Sequence, residues 1–295
     1  MSPGRNAPPP VKDVTGSKTL RSAFAGFGAT AGLLAAWGLF ESQWVELRET
    51  EIPIPGLVRG LDGLRIVHLS DFHLGTLSLN GRALARAVEW TLARDPDLVL
   101  VTGDLVSRRR GKPGLEHALR TLAARRPVFA VLGNHDIDES RDPFSEATDL
   151  SDIDRRAGAV LLGDEARTIE LRGVPVQIAG VDPSSYLEGR SRPAERSDPD
   201  AHLRILLCHF PDVVDRLPEG AYHLVLGGHY HGGQICLPGP RGKIRLEHLR
   251  AQYWEGLFLR PAAALHVSRG LGASFVPFRL LARPDATELT LKAAE

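Results

Sequence analysis

Cysteine is nearly missing from this chain: its 295 residues include two, Cys208 and Cys236, and neither belongs to a Cys-x-x-Cys pair. That excludes a disulfide scaffold and a thiolate-built structural zinc site, and leaves two thiols best read as buried. Net charge is missing too. Lys plus Arg and Asp plus Glu both number 36 and the sequence pI is about 7.2, so no overall field favours a polyanion, and nucleic acid is not an expected partner. No repeat divides the sequence, and with 43% hydrophobic residues it can bury one large core carrying a short appendage.

The appendage is N-terminal. Residues 1–22 contain Pro8-Pro9-Pro10 and scattered Lys and Arg, a composition that does not pack and reads as a disordered tail. Residues 23–40, AFAGFGATAGLLAAWGLF, carry no charge and one hydroxyl. As a helix they would span roughly 27 Å at 1.5 Å per residue, close to a hydrocarbon core. Ala and Gly fill more than half of the run and weaken that signal, whereas Trp37 and Trp44 lie where an aromatic belt would fall. A cleaved signal peptide fits less well, because the run is long and no small-residue cleavage site follows it; a buried helix is the third option. The expectation is a single-pass anchor in the cell membrane. Arg5, Lys12, Lys18 and Arg21 precede it and Glu41, Glu46, Glu49 and Glu51 follow it, so the tail is expected in the cytoplasm and the globular part outside. Residues 41–61 read as a linker and 62–295 as one domain.

From residue 64 one pattern recurs: a short apolar, β-branched run stops abruptly in Asp, His, Asn and Gly. The cases are LRIVHLSDFH (64–73), DLVLVTGD (97–104), PVFAVLGNHD (127–136), RILLCHF (204–210) and HLVLGGHYH (223–231). Such runs predict buried strands, and helical patterns at 81–95 and 114–126 separate the first three. Strand, helix, strand implies parallel pairing, which puts these polar tips at one sheet edge. Asp71, His73, Asp104, Asn134, His135, His209, His229 and His231 then share one small volume. Each alone could be a cap, a turn residue or a satisfied core histidine. Together, beside apolar strands, they would repel or stand unpaired without a cation. Mixed oxygen and nitrogen donors suit Mn²⁺, Fe or Zn²⁺ better than Ca²⁺ or Mg²⁺.

In this order, DFH, GDLV, GNHD, a lone later His and GHYHGG resemble the five blocks of the calcineurin-like metallophosphoesterases, over roughly residues 62–292. The single apolar span with HLSDFHLG is similar to the membrane-associated bacterial branch. The resemblance implies an α/β fold, a four-layer α/β/β/α sandwich of two mixed sheets, here preceded by an N-terminal hydrophobic helix. It also implies two divalent metal ions. One would take Asp71, His73, Asp104 and His231; the other would take Asp104, Asn134, His209 and His229, with Asp104 bridging. The activity implied is hydrolysis of a phosphodiester or phosphomonoester by hydroxide held between the metals. His135 is then the candidate acid for the leaving oxygen, and Asp136 the candidate that orients His135. A full ligand set argues against the non-enzyme alternative, a metal-bound interaction module.

The substrate is less visible. SRRRGK (107–112) and EGRSRPAERSD (188–198) read first as solvated faces, and otherwise as holders of substrate phosphates or lipid headgroups. An anchored domain meets lipids, so a lipid-linked phosphoester fits. That class includes UDP-2,3-diacylglucosamine, hydrolysed in lipid A biosynthesis. That step is cytoplasmic, against the orientation expected from the flanks.

Overall fold

All five apolar runs form strands, and the polar residues that end them lie just past the strand ends. The computed structural model describes residues 28, 32–76, 78–240, 242–247 and 249–294. Tail residues 1–22, and 23–27 and 29–31 of the apolar run, lie outside the described residues. The chain divides into the units Met1–Trp37 and Gly38–Glu295. In the first, residues 32–37 are helical, and in the second, residues 38–41 are. Among the described residues no helix is long and apolar enough to cross a membrane.

The second unit runs β1 (Glu46–Pro55), β2 (Arg65–Leu69), α1 (Asn80–Arg94), β3 (Leu98–Thr102), α2 (Lys112–Ala123), β4 (Val128–Val131), α3 (Ile153–Ala157) and β5 (Val160–Leu161). It continues with β6 (Ala166–Leu171), β7 (Val174–Gly180), α4 (Pro183–Leu187), β8 (Leu203–Leu207), β9 (Leu224–Gly227), β10 (Cys236–Gly239), β11 (Gly242–Arg245), β12 (Gly256–Leu259), β13 (Ala264–Val267) and β14 (Asp285–Ala294). One six-stranded sheet has the order β1-β14-β2-β3-β4-β5, the other β12-β13-β9-β8-β7-β6, and β10 and β11 form a separate hairpin. Both sheets are mixed. In the first, β2 through β5 are parallel and β14 runs antiparallel to β2; in the second, β7, β8, β9 and β13 are parallel.

The parallel strands are covered on both faces, which is why they read as unbroken apolar runs. In β3, Val99 and Val101 pack with Ala83, Leu84, Leu115 and Leu119 of α1 and α2, while Leu100 points the other way and meets Ile205 and Leu226 of the second sheet. Both helices owe their place to one apolar stripe: Ala83, Leu84, Ala87 and Val88 in α1, and Leu115, Ala118, Leu119 and Leu122 in α2. Burying a side chain of Val or Leu size contributes roughly 1.5 to 3 kcal/mol, so both faces of the central strands stabilise the domain.

Two expectations need correction. The fourth layer is thin: on the outer face of the second sheet lie the five-residue α4 and 3-10 turns such as Pro211–Arg216. Pro211 and Pro218 punctuate the β8 to β9 connection, and proline does not sustain a long helix there. The stretch 41–61 is not a bare linker, because residues 46–55 are β1, paired in parallel with β14 from Glu46 opposite Asp285 to Pro55 opposite Ala294. Ile52 and Ile54 are buried between the sheets while Glu49 and Glu51 are exposed, the alternation of an edge strand.

Candidate metal centre

Past the ends of β2 and β3 the two chains keep hydrogen bonding. The Asp71 backbone N–H donates to Gly103 O and that of His73 donates to Asp104 O, both at 2.9 Å. In the second sheet the Gly228 N–H donates to His209 O at 3.0 Å, so the tips of β8 and β9 are tied in the same way. Asp71 (φ 52°), His73 (φ 46°), Asp104 (φ 52°), His229 (φ 74°) and His231 (φ 50°) all adopt left-handed backbone conformations. Such strain costs on the order of 1 to 3 kcal/mol per residue and gathers at functional sites. The surroundings hold it in place.

The donor atoms form two groups that share Asp104: Asp71, His73, Asp104 and His231, and Asp104, His209 and His229, with each group's ligand atoms within 4.8 Å of one another. His231 Nε2 lies 3.1 Å from Asp71 Oδ1 and 3.0 Å from His73 Nε2. His209 Nε2 lies 3.2 Å from Asp104 Oδ2 and 3.2 Å from His229 Nδ1. Apart from the half-buried His229, these residues are buried.

Their remaining hydrogen bonds decide what this volume accepts. His209 Nδ1–H donates to the Thr102 carbonyl at 2.8 Å, so Nε2 presents a lone pair toward Asp104. His231 Nδ1 faces Gln234 Oε1 at 2.9 Å, and the Gln234 amide nitrogen donates to Ser274 O, so His231 also presents Nε2 as a lone pair. Lone pairs facing carboxylate oxygens at about 3 Å are stable only around a proton or a cation. Burial disfavours the His209 imidazolium, but the Asp104 charge and hydrogen bond outweigh it and push its pKa up to about 9. Burial raises the Asp71 carboxyl, yet His231 and His209 carry it well below the ordinary range. His73 is held below its usual value by burial, helped by His135.

The Asn134 Oδ1 is buried with no hydrogen-bond partner among the described residues. A proton shared between imidazoles would not satisfy this oxygen, whereas a cation does, and so the residues fit divalent metal. Glycine makes the crowding possible. A Cβ at Gly228 would run into the Asp71 carboxylate and the Ser70 hydroxyl, and one at Gly133 would run into Asp104 Oδ1. The first accounts for the glycine before His229, where the Asp71 carboxylate and the Ser70 hydroxyl need the room.

His135 sits beside both groups, its Nε2 4.0 Å from Asp104 Oδ2 and its backbone N–H donating to Asp104 Oδ1 at 2.9 Å. Its ring is held by the hydroxyls of Ser140 (3.0 Å to Nε2) and Ser145 (3.3 Å to Nδ1). Asp136, expected to orient that ring, bonds elsewhere. Its carboxylate accepts the backbone N–H groups of Leu105, Val106 and Gly133 at 2.9, 2.9 and 2.8 Å, bracing the loops that carry Asp104 and Asn134. Burial and the Asp104 charge lift its pKa to about 7 against those three donors. Sequence reasoning missed Gln234, Ser107, which meets His73 Nδ1 at 2.9 Å, and Asn80, which donates to His73 O at 2.9 Å. Gln234 stands three residues after its partner His231, a spacing that suits a turn, whereas Ser107 is far in sequence from its partner His73 and carried no such signal.

Two mixed sheets packed face to face, with strand tips from both converging on overlapping carboxylate and imidazole groups, define a metal-dependent hydrolase of phosphoester bonds. Residues 64–233 match the family described as Calcineurin-like phosphoesterase, and the chain belongs to it. The uncharacterized metallophosphoesterase YkoQ of Bacillus subtilis is 30% identical over 230 residues, 76% of this chain and 82% of its own. Phosphodiesterase YaeI of Escherichia coli is 30% identical over 237 residues, 77% of this chain and 82% of its own. The UDP-2,3-diacylglucosamine pyrophosphatase LpxG of Chlamydia trachomatis is 28% identical over 267 residues, 74% of this chain and 81% of its own.

Proposed function

We propose that the chain is a membrane-anchored phosphodiesterase or phosphatase using two divalent cations. The first is held by Asp71, His73, Asp104 and His231, the second by Asp104, Asn134, His209 and His229. The observation that carries this reading is the pair of imidazoles, His209 and His231, whose Nδ1 bonds leave Nε2 as a lone pair toward Asp104 and Asp71, together with the buried Asn134 Oδ1 that has no hydrogen-bond partner among the described residues. The cations, of Mn, Fe or Zn, supply Lewis acidity toward phosphoryl oxygens and lower the pKa of water. The chain's own part is to fix the imidazole tautomers through Thr102, Gln234 and Ser107, to exclude bulk water, and to hand a proton from His135 to the departing oxygen. Loading the protein with Mn²⁺ and screening aryl monoesters, diesters and pyrophosphates tests the reading. No hydrolysis of any of them, with two metals bound, would leave an interaction module in its place.

Replacing His135 by Ala is expected to leave metal content unchanged and to slow turnover by about 10² to 10⁴ on an alkyl ester, with a smaller loss on a nitrophenyl ester whose leaving group needs no proton. Steady-state rates on the two esters check this. Equal losses would assign His135 a binding role.

Anchoring rests on residues 23–40 and their flanking charges, and on the exposure of Leu39 and Phe40 at the end of that run and of Trp44 just beyond it. A reporter active only outside the cytoplasm, fused after Glu295, is expected to be active, and protease added to intact spheroplasts is expected to reach the domain. A silent reporter and a protected domain would place the site in the cytoplasm. UDP-2,3-diacylglucosamine pyrophosphohydrolase activity, as in the name of the chlamydial relative, would then be the better reading.

A further inference from the structure

Beside the metal centre lies a cavity of about 150 Å³ whose lining includes Phe144, Ala273, Phe275 and Val276, together with Arg108 and Arg110. It shares its wall with the site. The Phe275 ring stands edge-on to His135 at 6.4 Å between centroids. The Ser274 N–H donates to Gln234 Oε1 at 3.0 Å, the same oxygen that fixes His231. Asp142 closes the other link. Its Oδ2 accepts the Phe275 N–H at 2.8 Å, while its own N–H donates to Ser140 Oγ, the partner of His135.

Phe275 is held at φ 56°, a costly conformation for a bulky residue, and its ring remains 43% exposed. Strain that points an aromatic ring at an opening beside a reactive cluster marks a place where a ligand completes the packing. Arg108 and Arg110 donate to the carbonyls of Phe144 and Gly75, and among the described residues neither has a carboxylate partner. Asp142, the acidic residue of the lining, spends its oxygens on the backbone N–H groups of Phe144 and Phe275. The local charge is therefore cationic around an apolar hollow.

From this arrangement we propose that the cavity binds the apolar substituent of an amphiphilic phosphoester whose phosphate lies at the metal centre, an inference that rests on the phosphoesterase reading above. An apolar cavity of this size holds benzene, so about six carbons fill it. The substituent runs past His135, which sits between the cluster and Phe275, and the two arginines draw the anionic ester to the entrance.

The test is calorimetric titration of the metal-loaded protein with methyl-, butyl-, hexyl- and decylphosphonate, which cannot be hydrolysed. Affinity is expected to rise about threefold per added carbon up to hexyl, roughly a hundredfold or more in all, and to level off beyond it. Val276→Trp, which fills the hollow, is expected to bring the hexyl to methyl affinity ratio close to 1. Phe144→Ala, at a side chain 52% exposed and so no threat to folding, is expected to cut the ratio severalfold. Equal affinities across the wild-type series, or a ratio that neither variant changes, would overturn the proposal. A protein that hydrolyses esters yet binds all four phosphonates alike loses the cavity assignment and keeps its function. One that shows the chain-length gain and hydrolyses nothing loses the proposed function and keeps the cavity.

Discussion

Asp104→Asn is expected to reduce bound metal below two per chain and to lower turnover at least a thousandfold. The carboxylate is the one donor common to both groups, with Oδ2 at 3.2 Å from His209 Nε2 and 3.4 Å from His73 Nε2. Cations at such a centre contribute several kcal/mol of charge stabilisation in the transition state, and about 4 kcal/mol corresponds to a thousandfold in rate. Asparagine keeps the shape and can still accept the His135 N–H, so the backbone cradle survives while the negative charge does not. Plasma emission spectrometry and hydrolysis of a nitrophenyl diester read the two effects. Two metals retained with normal turnover would remove Asp104 from the shared position.

Arg279→Met is expected to destabilise the metal-free domain by about 3 to 5 kcal/mol, a loss of roughly 10 °C in melting temperature. Arg279 is fully buried, and its guanidinium donates to the carbonyls of His231, Arg269, Gly270, Gly272 and Ala282, a set drawn from three turns around the site. Burial pushes its pKa down to about 10, so it remains charged at neutral pH. Methionine fills much of the space but offers no donor, and each buried carbonyl left unsatisfied costs on the order of 1 to 3 kcal/mol. Lysine, with three donors on one nitrogen, is expected to recover part of the loss. Calorimetry of apo protein checks this, and a melting temperature within 2 °C of wild type would show that the carbonyls find other partners.

The sequence showed the strands best where burial was complete. Because β2, β3, β4, β8 and β9 are covered on both faces, their runs are unbroken and their polar ends abrupt, and topology was enough to bring Asp71, His73, Asp104, His135, His209, His229 and His231 together. β1 was hidden by its position at an edge: ELRETEIPIP alternates exposed glutamates with Ile52 and Ile54, and two prolines made it look like a connection. Its partner β14 could not be inferred from spacing, since β14 also pairs antiparallel with β2. Asp136 was legible as a site residue, expected to orient His135, but not as a brace for Leu105, Val106 and Gly133. Bonds to backbone depend on loop conformation, which side-chain patterns do not encode. Nothing in the sequence marked Arg279, for the same reason.

The interposition of β14 between β1 and β2 also sets the order of events on the ribosome. β2 ends at Leu69 and β14 begins at Asp285, so at ordinary synthesis rates the first sheet waits on the order of ten seconds or more for its second strand. Throughout that interval the nascent chain carries β1 without its partner and β2 with one open edge, the kind of surface that chaperones shield. Asp71 and His73, at the tip of β2, are among the first site residues to emerge, yet the strand beside them is the last to arrive. Sheet closure is therefore a late, long-range step, with the loop-closure entropy and slow rate that such pairings bring.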